Sequence, residues 1–92
     1  MKIKEGFLLR NVAGNHVVVP IGQATLDFNG MMSLNETGAF LFSKMIEGTT
    51  REKLIEAVMT EYGIDEKLAQ KDVDNFIRKV EGEDLFEKSS VD

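Results

Sequence analysis

Two hydrophobic periods divide the chain. Up to Leu34 the apolar positions come in short β-branched or alternating runs, and from Asn35 onward they recur at helical spacing. Phe7-Leu8-Leu9-Arg10-Asn11-Val12 is mostly apolar and is closed by the turn residues Ala13-Gly14-Asn15. His16-Val17-Val18-Val19-Pro20 follows as a β-branched run, and the pair predicts a β-hairpin. Pro20 cannot donate to a ladder and Gly22 invites a bulge, so the second strand is expected to break or bend there. Ala24-Thr25-Leu26-Asp27-Phe28 then reads as resumed strand, pairing across Asn29-Gly30 with Met31-Met32-Ser33-Leu34. Asn-Gly between apolar residues is a strong hairpin signal because both residues tolerate positive φ. The expectation is a three-stranded antiparallel meander with an irregular middle strand, preceded by a polar, frayed stretch over residues 1–6.

Asn35 is placed to cap a helix over residues 36–47, with Glu36 adding favourable charge at that end. Ala39, Phe42, Met45 and Ile46 form one face of it, Leu41 widens that face, and Phe40 lies nearly opposite. Apolar residues on most sides predict a helix covered from two directions. Gly48 ends it. Thr49-Thr50-Arg51-Glu52 has capping-box spacing, with Thr49 as the cap and Glu52 reaching back, and the helix that follows runs to about Tyr62. Leu54, Ile55, Val58, Met59 and Tyr62 share its inner face, and Gly63 is a C-terminal stop. Asp65 caps a third helix whose core stripe is Ala69, Val73, Phe76, Ile77 and Val80, and Gly82 breaks it. Leu85-Phe86 is expected to fold back onto the core, with residues 87–92 a loose tail. The sum is an α+β fold, a β-meander followed by three α-helices in a winged helix-turn-helix-like arrangement. Residues 1–92 are expected to form one domain, ordered over about 6–86.

Composition narrows the function. The 92 residues are 42% hydrophobic and 29% charged with a single Pro, which suits one modest core rather than a disordered chain. A formal charge of −5 argues against a non-specific nucleic-acid surface, which needs Lys and Arg to replace the counterions on phosphate. Without cysteine there is no disulfide and no thiolate metal site. The N-terminus lacks the apolar stretch of a signal peptide and no run is long enough to span a membrane, so a soluble cytoplasmic domain is expected.

Catalytic chemistry is poorly provided for. The single histidine, His16, sits at a turn–strand boundary and is expected as a solvated imidazole. No Ser or Thr has an evident base beside it, and no cluster has metal-ligand spacing, so neither a catalytic residue nor a metal or cofactor is assigned. Asp72 and Asp74 are about 200° apart around a helix of 3.6 residues per turn and cannot work as a pair; they read as solvated helix charges. Met31 and Met32 are adjacent on a strand and point to opposite faces, so one enters the core while the other stays exposed. An exposed thioether there is either a filler or an adaptable apolar contact for a bound segment. In a meander the third strand has an unpaired edge, and residues 30–34 carry neither Lys nor Pro to blunt it. An extended peptide can add to such an edge as a further strand.

The ordered set Gly30-Met31-Met32-Ser33-Leu34-Asn35-Glu36-Thr37-Gly38-Ala39-Phe40, Gly48-Thr49-Thr50, Tyr62-Gly63-Ile64-Asp65 and Asp72-Val73-Asp74-Asn75-Phe76-Ile77 resembles the pyrroloquinoline quinone biosynthesis protein D (PqqD-like) family. The resemblance covers nearly all of residues 6–86. It implies a non-catalytic peptide chaperone, the recognition element of pathways that modify ribosomally made peptides in natural product biosynthesis. The leader part of a precursor peptide adds antiparallel to the third strand, in the groove before the third helix. The domain then presents the peptide to a modifying enzyme, often a radical S-adenosylmethionine enzyme. Carried onto this chain, the resemblance places the peptide against Met31, Met32, Ser33 and Leu34 on the strand. On the helix it places Leu68, Asp72, Asn75 and Lys79, the flank beside the core stripe. The Ile21–Phe28 segment departs from the simplest family pattern and bears on access to that groove.

Two other readings use the same fold. A winged-helix DNA-binding domain would read DNA with its third helix, whose Lys67, Lys71, Arg78 and Lys79 are offset by Glu66, Asp72, Asp74 and Glu81. A structural or regulatory subunit would use the sheet edge to pair with an enzyme or with a second copy as a homodimer.

Overall fold

The computed structural model describes residues 1–28 and 30–88. The chain begins its sheet with the hairpin of β1 (Phe7–Val12) and β2 (Asn15–Pro20), paired from Val12↔Asn15 to Phe7↔Pro20. Ala13 (φ 52°) and Gly14 (φ 85°) form the two-residue turn, both in the left-handed region that matches the twist of the flanking strands. The Asn11 Oδ1 accepts the Gly14 N–H at 3.0 Å and holds it closed.

The third strand, β3 (Met32–Leu34), pairs antiparallel with β2 itself: His16↔Leu34, Val17↔Ser33 and Val18↔Met32. The meander is as expected, but its pairing corrects the reading in which residues 24–28 supply the partner strand. Those residues form a one-turn helix, α1 (Ala24–Asp27), closed by local bonds from Thr25 Oγ1 to the Gly22 carbonyl and from the Phe28 N–H to the Ala24 carbonyl. Ladder parity gives the reason. Residues flanking a two-residue turn exchange both backbone bonds, so Asn15, Val17 and Val19 bond β1 while His16, Val18 and Pro20 face β3. Pro20 has no N–H to offer on that side, and the β2–β3 ladder stops at Val18. The departing chain folds onto the start of β1, where Phe28 meets Phe7 edge-on at 5.4 Å. A Cβ on Gly6 would stand 2.9 Å from that of Ala24, so this close approach requires glycine. Asn29, half of the expected Asn-Gly turn, lies outside the described residues, as do residues 89–92 of the expected tail.

The helices follow their caps. The Asn35 Oδ1 accepts the Gly38 N–H at 2.7 Å and starts α2 (Glu36–Glu47); the Asp65 Oδ1 accepts the Leu68 N–H at 2.8 Å and starts α4 (Glu66–Gly82). Between them α3 (Arg51–Tyr62) is capped by Thr50, which accepts from the Lys53 N–H at 3.2 Å, one residue later than expected. With Thr50 as the cap, Glu52 stands one position short of where a capping box needs it. Thr49 instead donates its N–H to the Met1 carbonyl at 2.9 Å.

Leu41, Phe42 and Met45 of α2 are fully buried, joined by Val18 from the sheet and by Leu54, Val58, Val73 and Val80 from the other helices. Each such side chain contributes roughly 1.5–3 kcal/mol by leaving water. Phe40, on the opposite side of α2, packs edge-on against Tyr62 at 5.7 Å, so α2 is covered from two directions. The N-terminus is not frayed: Ile3 is 3% exposed, bridges Phe86, and donates its N–H to the Met45 carbonyl at 3.0 Å. Leu85 and Phe86 do return to the core and bring this short bridge with them. Asp74 corrects the expectation of a solvated helix charge. Both its oxygens accept from Arg51, at 2.7 and 3.0 Å, which ties α4 to α3. His16 is half-buried inside β2 rather than solvated.

Candidate functional site

The ladder that joins β3 to β2 also fixes what β3 offers on its other side. Met32 and Leu34 spend their backbone groups on Val18 and His16, so the Ser33 N–H and carbonyl point away from the sheet. Beyond that edge stands α4, and between them lies a groove with a volume of about 340 Å³. Leu34, Leu41 and Phe76 give it an apolar floor, and Asp72, Asn75 and Lys79 form its wall along α4.

Three local features shape the groove. Asn35 turns the chain from β3 directly into α2, so the first turn of α2 closes one end. Gly38 lies in that turn, and an added Cβ would stand 3.1 Å from Phe76 Cε1 and 3.2 Å from Asn35 Oδ1. Its missing side chain lets α4 approach this closely. Asn75 accepts a hydrogen bond from Arg78 through Oδ1, which leaves its amide NH₂ as the free donor. Lys79 reaches across from α4, its Nζ 3.4 Å from the Ser33 carbonyl oxygen.

The residues singled out in the sequence are partly brought together. Asp72, Asn75, Lys79 and Leu34 line the groove, and Ser33 forms its rim. Met32 is buried and faces the core, whereas Met31 precedes the strand and is 68% exposed, so the adjacent pair divides as expected. Leu68 is exposed one turn before Asp72 but does not line the groove. Thr37, Gly38, Leu41 and Phe76 line it and were not foreseen. Gly38 carried a signal, as a glycine near the start of an apolar helix where nothing local needs one. The edge is also blunted after all, by a lysine from α4 rather than from the strand. Among the described side chains, none from residues 21–26 or Phe28 lines the groove, and Phe28 packs against Phe7 instead.

Away from the groove, the Arg51–Asp74 pair joins α4 to α3. The hydrogen bond from Arg51 holds the Asp74 carboxyl below its usual range and raises the guanidinium in turn, with desolvation opposing both. No helix among the described residues is long and apolar enough to cross a membrane.

A three-stranded antiparallel sheet ahead of helices, with an edge strand facing the last of them, defines an α+β fold of the winged-helix kind. The sequence model of one family, described as Coenzyme PQQ synthesis protein D (PqqD), matches residues 15–85, and the chain belongs to the PqqD family. Comparison with curated protein sequences finds no match. Among solved structures the chain is similar to TbiB1 in complex with the TbiA(beta) leader peptide, with a TM-score of 0.74 and 21% identity over 98% of this chain and 99% of that one. It is also similar to lasso peptide synthetase B1 complexed with the leader peptide, with a TM-score of 0.69 and 12% identity over 91% and 93% of the two chains. At these identities the likeness is one of fold.

Proposed function

We propose that this chain is a non-catalytic peptide-recognition domain. It binds the leader segment of a ribosomally made precursor peptide as a fourth strand on β3 and presents it to a modifying enzyme, for which a radical S-adenosylmethionine enzyme is the family's frequent partner. The observation that carries this reading is the Ser33 backbone, whose N–H and carbonyl face away from the sheet on an edge that opens into a groove. A peptide antiparallel to β3 exchanges two hydrogen bonds with Ser33 and lays alternate side chains on Leu34, Leu41 and Phe76. Main-chain bonds then supply affinity and the apolar floor supplies selection. Both similar structures are complexes with a leader peptide, which supports the same use of the fold here.

A peptide selected for binding to the chain and labelled for fluorescence polarisation tests this. Ser33→Pro removes the outward donor without touching the β2 ladder and is expected to weaken binding more than tenfold. Ser33→Ala keeps the backbone and is expected to bind as the wild type does. Equal binding by all three chains would contradict strand addition at β3.

A further inference from the structure

Charge is unevenly placed along the groove. Lys79 Nζ lies against the Ser33 carbonyl, the one carbonyl of β3 that faces outward. Among the described residues the ion pairs are Lys4–Asp84 and Arg51–Asp74, so the Lys79 ammonium rests on a neutral carbonyl rather than on a carboxylate. Asp72 lines the same groove two helical turns earlier on α4, about 10 Å away at 1.5 Å per residue. Lys79 meets Ser33 while Phe76 closes on Gly38, so α4 runs antiparallel to β3 past the groove. Asp72, a further turn back, lies at the end that α2 closes. A strand antiparallel to β3 therefore passes Asp72 first and Lys79 afterwards.

An incoming strand needs the Ser33 carbonyl as the acceptor for one of its own N–H groups, and Lys79 stands against that acceptor, competing for it. Displacing the ammonium with nothing in return loses its hydrogen bond. A carboxylate on the incoming strand gives the ammonium a partner of full opposite charge in place of a neutral carbonyl, a modest gain at an exposed site. A neutral segment makes no such exchange.

We propose that Lys79 is a specificity-determining latch on the β3 edge, opened by peptides that bring an acidic side chain beside Ser33. Asp72 adds a preference for a basic side chain nearer the N-terminus of the same segment, roughly two to four residues away at about 3.3 Å per residue. This rests on strand addition at β3 and narrows the partner to leader segments with basic-before-acidic charge order.

The test is selection from a display library of random linear peptides against the wild-type, Lys79→Glu and Asp72→Asn chains. Circular dichroism checks that the variants fold, and amide exchange of Ser33 locates the selected peptides. The wild type is expected to enrich Asp or Glu at one position and Lys or Arg shortly before it. Lys79→Glu is expected to replace the acidic preference by a basic one and to bind the wild-type selectants about fivefold more weakly, as suits an exposed charge. Asp72→Asn is expected to lose the basic preference alone. Peptides that protect Ser33 yet show no acidic preference, or one that Lys79→Glu leaves unchanged, would overturn the latch and leave strand addition standing. Peptides that bind away from Ser33, or no binders at all, would overturn both.

Discussion

Gly38 and Phe76 meet across the floor of the groove, with Phe76 Cε1 3.1 Å from where a Gly38 Cβ would stand. Gly38→Ala gains about 1 kcal/mol of helix propensity but forces the buried Phe76 ring or the Asn35 cap to move, and overpacking of this kind costs about 1–3 kcal/mol. We expect net destabilisation of about 1 kcal/mol, seen as a fall of roughly 5 °C in Tm. Peptide affinity is expected to fall with it. An unchanged or higher Tm would show that the ring swings aside freely.

The hairpin turn offers the opposite sign. Ala13 holds φ 52°, a region that costs a residue with a Cβ about 1–2 kcal/mol, whereas Asn tolerates it. Ala13→Asn creates the Asn-Gly pair that two-residue turns favour, next to an Asn11–Gly14 bond that stays in place. Stabilisation of about 0.5–1 kcal/mol in chemical denaturation is expected. Loss of stability would contradict the turn geometry.

The Arg51–Asp74 pair predicts part of the acid limb of stability. The Arg51 hydrogen bond lowers the Asp74 pKa in the folded chain below its ordinary value of 3.8. The group therefore stabilises the fold fully above that ordinary value, and the contribution is lost as pH falls through the lower, folded-state value. Asp74→Asn is expected to be less stable at neutral pH and to lose less stability on acidification below about pH 4. Denaturation midpoints across pH 2–7 check this. Parallel pH profiles for the two chains would contradict it.

What was legible in the sequence is what local chemistry decides. Asn35 and Asp65 announce helices because a cap acts within its own first turn, and the stripe from Ala69 to Val80 shows its period directly. Residues 24–28 misled because their alternation suits a strand, while their bonds to Gly22 and Ala24 close a turn and Pro20 removes the donor a longer ladder needs. The spacing to Glu52 points to Thr49 as a cap, but Thr49 is tied to Met1 from outside its own segment and Thr50 takes the Lys53 N–H instead. Ile3 stands between two lysines in a mostly polar stretch, and its burial depends on Leu85 and Phe86 returning from the far end of the chain. On the candidate site, the family resemblance pointed to the helix flank Leu68, Asp72, Asn75 and Lys79, of which Leu68 does not line the groove. The meeting of Lys79 with Ser33 joins residues 46 positions apart, which no local pattern carries.

The central claim is that the groove works through the Ser33 backbone, and amide exchange of that one residue tests it most directly. A selected peptide that adds to β3 is expected to slow exchange of the Ser33 N–H while leaving Leu9 and Asn11, which face outward on the β1 edge by the same ladder parity, unchanged. Protection at Leu9 and Asn11 with Ser33 unaffected, while the peptide remains bound, would contradict the account.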